Sequence, residues 1–138
     1  MISDASSLLS QPSENYMDVH QRQFFKDLLL AKQRDLFERI GEHERSLSVT
    51  ERVADSSDAG TIEENRTLMM RLLTGERAEA LAIKEALDRI ADDEYGWCAD
   101  TGEEIGLRRL LNNPTAQRTT EAQNRLETIG KHHRVAAV

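Results

Sequence analysis

Apolar residues recur between positions 18 and 47 at Phe25, Leu29, Leu36, Ile40 and Leu47, spaced by four and seven, with charged residues filling the gaps. That period sets all five on one face, so the segment predicts a helix opened by Asp18 as N-cap and carrying one seam of a coiled coil. The pattern fails after Leu47, where SVTERVADSSDAG supplies the Ser, Asp and Gly of a turn. A second stripe runs through Met69, Leu73, Ala80, Ile83, Leu87 and Ile90, interrupted by one polar position at Glu76. Its start is expected near Thr61, which forms a capping box with Glu64. Gly75, beside the interruption, costs about 1 kcal/mol relative to Ala in a helix interior and admits a local bend there.

Two helices of similar length joined by a short polar loop pair antiparallel, because that arrangement lets both stripes bury each other without a long crossover. A paired segment of about 25 residues reaches roughly 35 to 40 Å. The expected fold is therefore mainly α, an antiparallel coiled-coil hairpin over 18–94 with its tip near 50–60. It stands on a small globular base over 95–138, completed by part of the N-terminal region. Residues 1–17 are Ser-rich, contain Gln11-Pro12-Ser13 and lack periodicity, which predicts a flexible arm that ends by docking Tyr16 and Met17. Ala122, Leu126 and Ile129, at helical spacing, predict a C-terminal helix from Thr119 to about His132 that folds back on the base.

Composition agrees with long solvated helices. Of 138 residues, 4% are aromatic and 31% charged, and seven glycines with two prolines leave few breaks for a strand-rich fold. A net charge of -7 argues against broad contact with a nucleic-acid backbone, which is bound by Lys and Arg, and favours a protein partner with basic surface. One cysteine excludes an internal disulfide and fits a reducing compartment. The start MISDASSLLS lacks the basic and apolar regions of a secretory signal, and no apolar run approaches a membrane span. The expectation is a soluble cytoplasmic protein with no membrane contact. An intramolecular hairpin that buries both stripes favours a monomer.

The most telling chemistry lies between Tyr95 and Gln123. Cys98, Thr101, Thr119 and Ala122 have the paired two-residue gaps and central loop of a four-cysteine zinc ribbon, but the first alone carries sulfur. A thiolate with two neutral hydroxyls and a methyl group does not make a tetrahedral zinc site, so no metal cofactor is expected and packing alone must hold the knuckle. Cys98 itself reads as a small structural residue, since no neighbouring cation marks it as a thiolate.

At the tip, Asp55, Ser56, Ser57 and Asp58 have two readings. Asp and Ser close helix hairpins by binding nearby amides, and two carboxylates at the end of a stiff rod also make a probe for a cation-rich cavity. Arg108, Arg109, Lys131 and Arg134 are the main basic residues of the base. They read singly as solvated surface and together as a contact for an acidic partner or phosphorylated ligand. No nucleophile–base pair, phosphate loop or dinucleotide fingerprint is present, so the chain reads as a non-enzyme.

Three stretches carry a resemblance to a known family. YMDVHQRQFFKDLLLAKQRDL is similar to the entry of a first long helix, ADSSDAG to an acidic tip, and DDEYGWCADTGEEIGLRRLLNNPTAQRT to a zinc-finger segment, all in the DksA/TraR family of bacterial RNA polymerase regulators. The resemblance is strongest to zinc-independent members. It implies a factor that binds RNA polymerase directly, without sequence-specific DNA binding, and inserts its coiled coil through the secondary channel. It also implies modulation of open promoter complexes with the alarmone ppGpp in the stringent response, ribosomal RNA promoters going down and amino-acid biosynthesis promoters up. The family's tip motif falls on Asp55, Asp58 and Gly60, where glycine replaces alanine, and a conspicuous basic position falls on Arg109. The family's ppGpp-binding basic residues fall on the uncharged Ala82, Asn113 and Gln123, so synergy with ppGpp here requires Lys84 or Arg109 to substitute. The alternatives are a coiled-coil adaptor that binds a partner helix and, ranked last, a transcript-cleavage factor using the same channel.

Overall fold

The structure, a computed structural model, describes residues 2–53 and 59–136. It contains five α-helices among those residues: α1 Ala5–Leu9, α2 Val19–Val53, α3 Ala59–Ala91, α4 Leu107–Asn112 and α5 Thr120–Ala136. The single β-interaction described is an isolated antiparallel bridge between Trp97 and Glu104. No helix among the described residues is long and apolar enough to cross a membrane.

The chain divides into two compact units, one made of residues 28–84 and the other of residues 1–27 with 85–138. In the first, α2 and α3 pair antiparallel. Leu29 and Leu36 on α2, and Leu73 and Ile83 on α3, are at most 1% exposed, while Ile40, Leu47, Met69 and Ala80 are half-buried along the same stripes. The seam forms where the heptad-like spacing puts it. Its polar interruption is occupied by a hydrogen-bonded pair. Glu76 Oε1 lies 2.6 Å from His43 Nδ1, so the polar group left in the stripe is met by the facing helix. Two further pairs cross the helices near the surface, Glu44 with Arg77 at 3.0 Å and Glu51 with Arg66 at 3.6 Å.

Several boundaries differ from the sequence reading. Helix α2 does not stop at Leu47 but continues through Val53, and α3 begins at Ala59, which places Thr61 inside the helix and not at its cap. Apart from Asp and Ser, the turn-like stretch contains Val49, Thr50, Glu51 and Arg52, and the Thr50 hydroxyl donates to the Ser46 carbonyl one turn back (2.9 Å), a bond the helix itself supplies. Gly75 lies within an uninterrupted α3, with nothing within 4 Å of the position its Cβ would take, so no bend is needed to house it.

In the other unit Ala5–Leu9, within the stretch where a loose arm is expected, form α1. Asp4 caps α1 by accepting from Ser7 N–H (2.7 Å), and Leu8 is fully buried, with α1 packed near α4. One apolar residue on a single turn is enough to dock it, a signal too short to register as periodicity. Asp18 behaves as the expected cap of α2, its carboxylate accepting from Gln21 N–H at 2.9 Å. Along α5, Ala122 is buried, whereas Leu126 and Ile129 are 44% and 57% exposed, so the apolar row continues without a cover among the described residues.

Candidate functional site

The knuckle begins where α3 ends. Asp93 takes a left-handed conformation (φ 58°), and Glu94 and Tyr95 N–H both bond the Arg89 carbonyl (2.8 and 3.1 Å), which turns the chain sharply out of the helix. The Arg89 side chain reinforces the turn by donating to the Glu94 and Trp97 carbonyls (3.1 and 2.6 Å). Arg22 on α2 pairs with Asp93 across the same turn. Tyr95 is 2% exposed, packs on the Phe25 ring at 5.5 Å and donates its hydroxyl to the Pro114 carbonyl at 2.7 Å. Burial pushes the Tyr95 phenol well above its ordinary range, so this hydroxyl remains a donor.

The two halves of the knuckle meet at the Trp97–Glu104 bridge. Cys98 N–H donates to the Glu103 carbonyl (2.8 Å), Ile105 N–H to Gly96 (2.9 Å), and Ala99 N–H to Gln117 (2.8 Å). Arg118 links to Asp100 at 2.9 Å, and Arg109 Nε donates to the Arg118 carbonyl at 2.9 Å. Hydrogen bonds from Arg, Tyr and backbone groups therefore supplement packing, where packing alone is expected from the sequence.

Cys98, Thr101 and Thr119 are brought together around the sulfur. Burial raises the Cys98 thiol, but hydrogen bonds from the Thr101 hydroxyl and from backbone N–H groups of Thr119, Thr101 and Asp100 outweigh it and bring it down to about 6. No neighbouring cation marks Cys98 in the sequence, and neutral donors lower the thiol in its place. The Thr101 hydroxyl oxygen also accepts from Glu103 N–H (3.2 Å), and Thr119 Oγ1 accepts from Ala122 N–H (3.1 Å) as the N-cap of α5. The two hydroxyls are thus engaged by backbone, and Ala122 contributes a buried methyl.

Of the tip residues, Asp55 and Asp58 lie outside the described residues, and Gly60 is an exposed position in the first turn of α3. Arg109 is half-buried on α4. Asn113 is exposed at the end of α4 and Gln123 is half-buried on α5, whereas Ala82 belongs to the hairpin unit. Sequence reasoning missed the His43–Glu76 pair. Its signal was present, since 43 falls seven residues after Leu36 in the seam.

Residues 93–127 match the family model of the prokaryotic dksA/traR C4-type zinc finger. The chain is 38% identical over 127 residues to the RNA polymerase-binding transcription factor DksA of Caulobacter vibrioides, covering 90% of this chain and 89% of that protein. It is 32% identical over 109 residues to the protein of the same name from Escherichia coli K12, covering 77% and 71%. The solved structure of transcription factor DksA2 from Pseudomonas aeruginosa superimposes with a TM-score of 0.85 at 44% identity, covering 94% of this chain and all of that one. The expectation that zinc plays no part is corrected by the first of these findings: the matched module is a C4-type zinc finger, so zinc is the metal its family pattern is built for. The residues at this chain's four positions do not themselves fit the ion, with one sulfur, two engaged hydroxyls and a methyl, and the described residues hold no cluster of three His, Cys, Asp or Glu. With relatives at 32–38% identity over 71–89% of their lengths, the chain belongs to the DksA/TraR family, whose curated members named above are RNA polymerase-binding transcription factors.

Proposed function

We propose that this chain is a transcription regulator that binds bacterial RNA polymerase directly and acts through its secondary channel. The observation that carries the reading is the paired α2–α3 hairpin in a chain that is nine-tenths alignable with a named polymerase-binding relative. A stiff two-helix rod delivers the charge at its end to a distant point with little conformational entropy left to lose. Asp55 and Asp58 are the carboxylates we assign to that end, with Gly60 completing the motif and all three facing the polymerase active site. They act by position and charge on the Mg²⁺ site or on basic groups near it, and not as catalysts. The effect is a change in open-complex stability within the stringent response, with ribosomal RNA promoters repressed and amino-acid biosynthesis promoters favoured.

Arg109 is the polymerase contact we assign outside the hairpin. Its Nε bond to the Arg118 carbonyl fixes the plane of the guanidinium, which suits a directed contact. At the polymerase interface Ala82, Asn113 and Gln123 offer no charge to the phosphates of ppGpp, so Lys84 or Arg109 would have to supply it. The protein works as a monomer in the cytoplasm, and no step of the reading is routed through a metal. Transcription from a ribosomal RNA promoter, with and without ppGpp and with and without chelator, tests each part separately. A polymerase-binding chain whose Asp58→Asn variant binds but does not repress supports the channel mechanism. Full activity of that variant would overturn it in favour of side-on binding, for which the exposed Phe37 and Leu81 of the hairpin offer apolar surface.

A further inference from the structure

The loop between Gly96 and Gly106 is closed by a group from the far N-terminal end of the chain. The Tyr16 hydroxyl donates to the Gly96 carbonyl at 2.6 Å and accepts from the Gly106 N–H at 2.9 Å. Those two glycines bracket the Trp97–Glu104 bridge, so one hydroxyl ties both ends of the loop where they leave their pairing. The Tyr16 ring meets the Trp97 ring edge-on, with centroids 5.3 Å apart. Met17 follows in a left-handed conformation (φ 54°) and lies so close over Gly96 that a Cβ there would stand 2.6 Å from its Cγ. Gln21, fully buried, holds Met17 in place by accepting its N–H at 2.9 Å.

From this arrangement we propose that Tyr16 and Met17 form a strap that closes the knuckle locally, with the Tyr16 hydroxyl as its buckle. Releasing the hydroxyl opens the 96–106 loop while α2 and α3 stay formed. Elsewhere the loop is held by the isolated bridge with the flanking bonds of Cys98 and Ile105, by Ala99 N–H on the Gln117 carbonyl, by Arg89 on the Trp97 carbonyl and by the Arg118–Asp100 pair. None of these ties residue 96 to residue 106 as the Tyr16 hydroxyl does, and short irregular segments open at a lower free energy than helices with packed seams.

Tyr16→Phe is the test, because it keeps the ring against Trp97 and removes the hydroxyl alone. Cys98 and Trp97 are the chain's single cysteine and single tryptophan, and both lie in the loop. Cys98 is 4% exposed, so its labelling by a neutral thiol reagent at fixed pH reports loop opening. Loss of the two hydrogen bonds is expected to raise the labelling rate about tenfold or more, with a red shift of Trp97 emission and unchanged far-ultraviolet dichroism. A labelling rate within twofold of wild type would overturn the strap. Loss of helicity in the variant would overturn it as well, since the hydroxyl would then belong to one cooperative core and not to a local closure.

Discussion

Two glycine-to-alanine substitutions should have opposite signs, and the structure gives both magnitudes. At Gly96 the backbone has φ +91°, a region that L-residues enter at a cost of about 1–2 kcal/mol, and the new Cβ would lie 2.6 Å from Met17 Cγ and 2.8 Å from its Sδ. Met17 cannot swing aside from its tip, because the clash reaches back to Cγ, its N–H is fixed by Gln21 and the residue is 7% exposed. Overpacking of this kind costs about 1–3 kcal/mol, so Gly96→Ala should lose about 2–5 kcal/mol in all. At Gly75, in the middle of the 33-residue α3, nothing lies within 4 Å of the new methyl, and removing glycine from a helix interior should gain about 0.5–1 kcal/mol. Urea unfolding followed by helicity and by Trp97 emission measures both. With a slope of about 1–3 kcal/mol per molar, the Gly96 variant should lose at least about 0.7 M in the midpoint of the emission transition. A Gly96→Ala midpoint equal to wild type, or a destabilised Gly75→Ala, would refute the packing described for the corresponding element.

Breaking the His43–Glu76 pair from one side should destabilise the hairpin by about 1–3 kcal/mol, because the remaining partner is left partly buried and unmet; thermal unfolding of His43→Leu and Glu76→Leu reads this. Replacing both with leucine should restore or exceed wild-type stability by completing the apolar stripe, and a double variant no better than the worse single one would contradict that. The Cys98 thiol, brought down to about 6, should give a thiolate absorbance with its midpoint near that pH, and a midpoint near the ordinary value of 9.0 would refute the donor arrangement. Because the folded state holds the thiolate, this contribution to stability is fully present above the unfolded thiol's range and is lost as pH falls through about 6. Wild type should therefore lose stability relative to Cys98→Ser between pH 9 and 6, seen in paired denaturation curves.

The hairpin was legible because its signal is long. Phe25, Leu29, Leu36, Leu73 and Ile83 repeat over many turns, and all five are buried. The ends of the helices were not, since Val49 to Arg52 continue α2 through residues that composition assigns to a turn. Leu8 docks a five-residue helix, too little chain for a period to emerge. In the knuckle, spacing located Cys98, Thr101, Thr119 and Ala122, and three of them gather around the sulfur. What spacing does not contain is the lowered thiol, which arises from backbone N–H groups, or the Tyr16 hydroxyl, whose partners are 80 and 90 residues away. Periodicity reports local chain geometry, and these features come from contacts between segments remote in sequence.

The central claim is that the chain acts on RNA polymerase through the carboxylates assigned to the end of its hairpin. Its most direct test is single-round transcription from a ribosomal RNA promoter by purified polymerase, comparing wild type with Asp58→Asn at concentrations where both are shown to bind the enzyme. The account predicts that wild type lowers the transcript and shortens the open-complex lifetime while the variant does neither. Equal repression by the two proteins, or no repression by wild type despite binding, would contradict it.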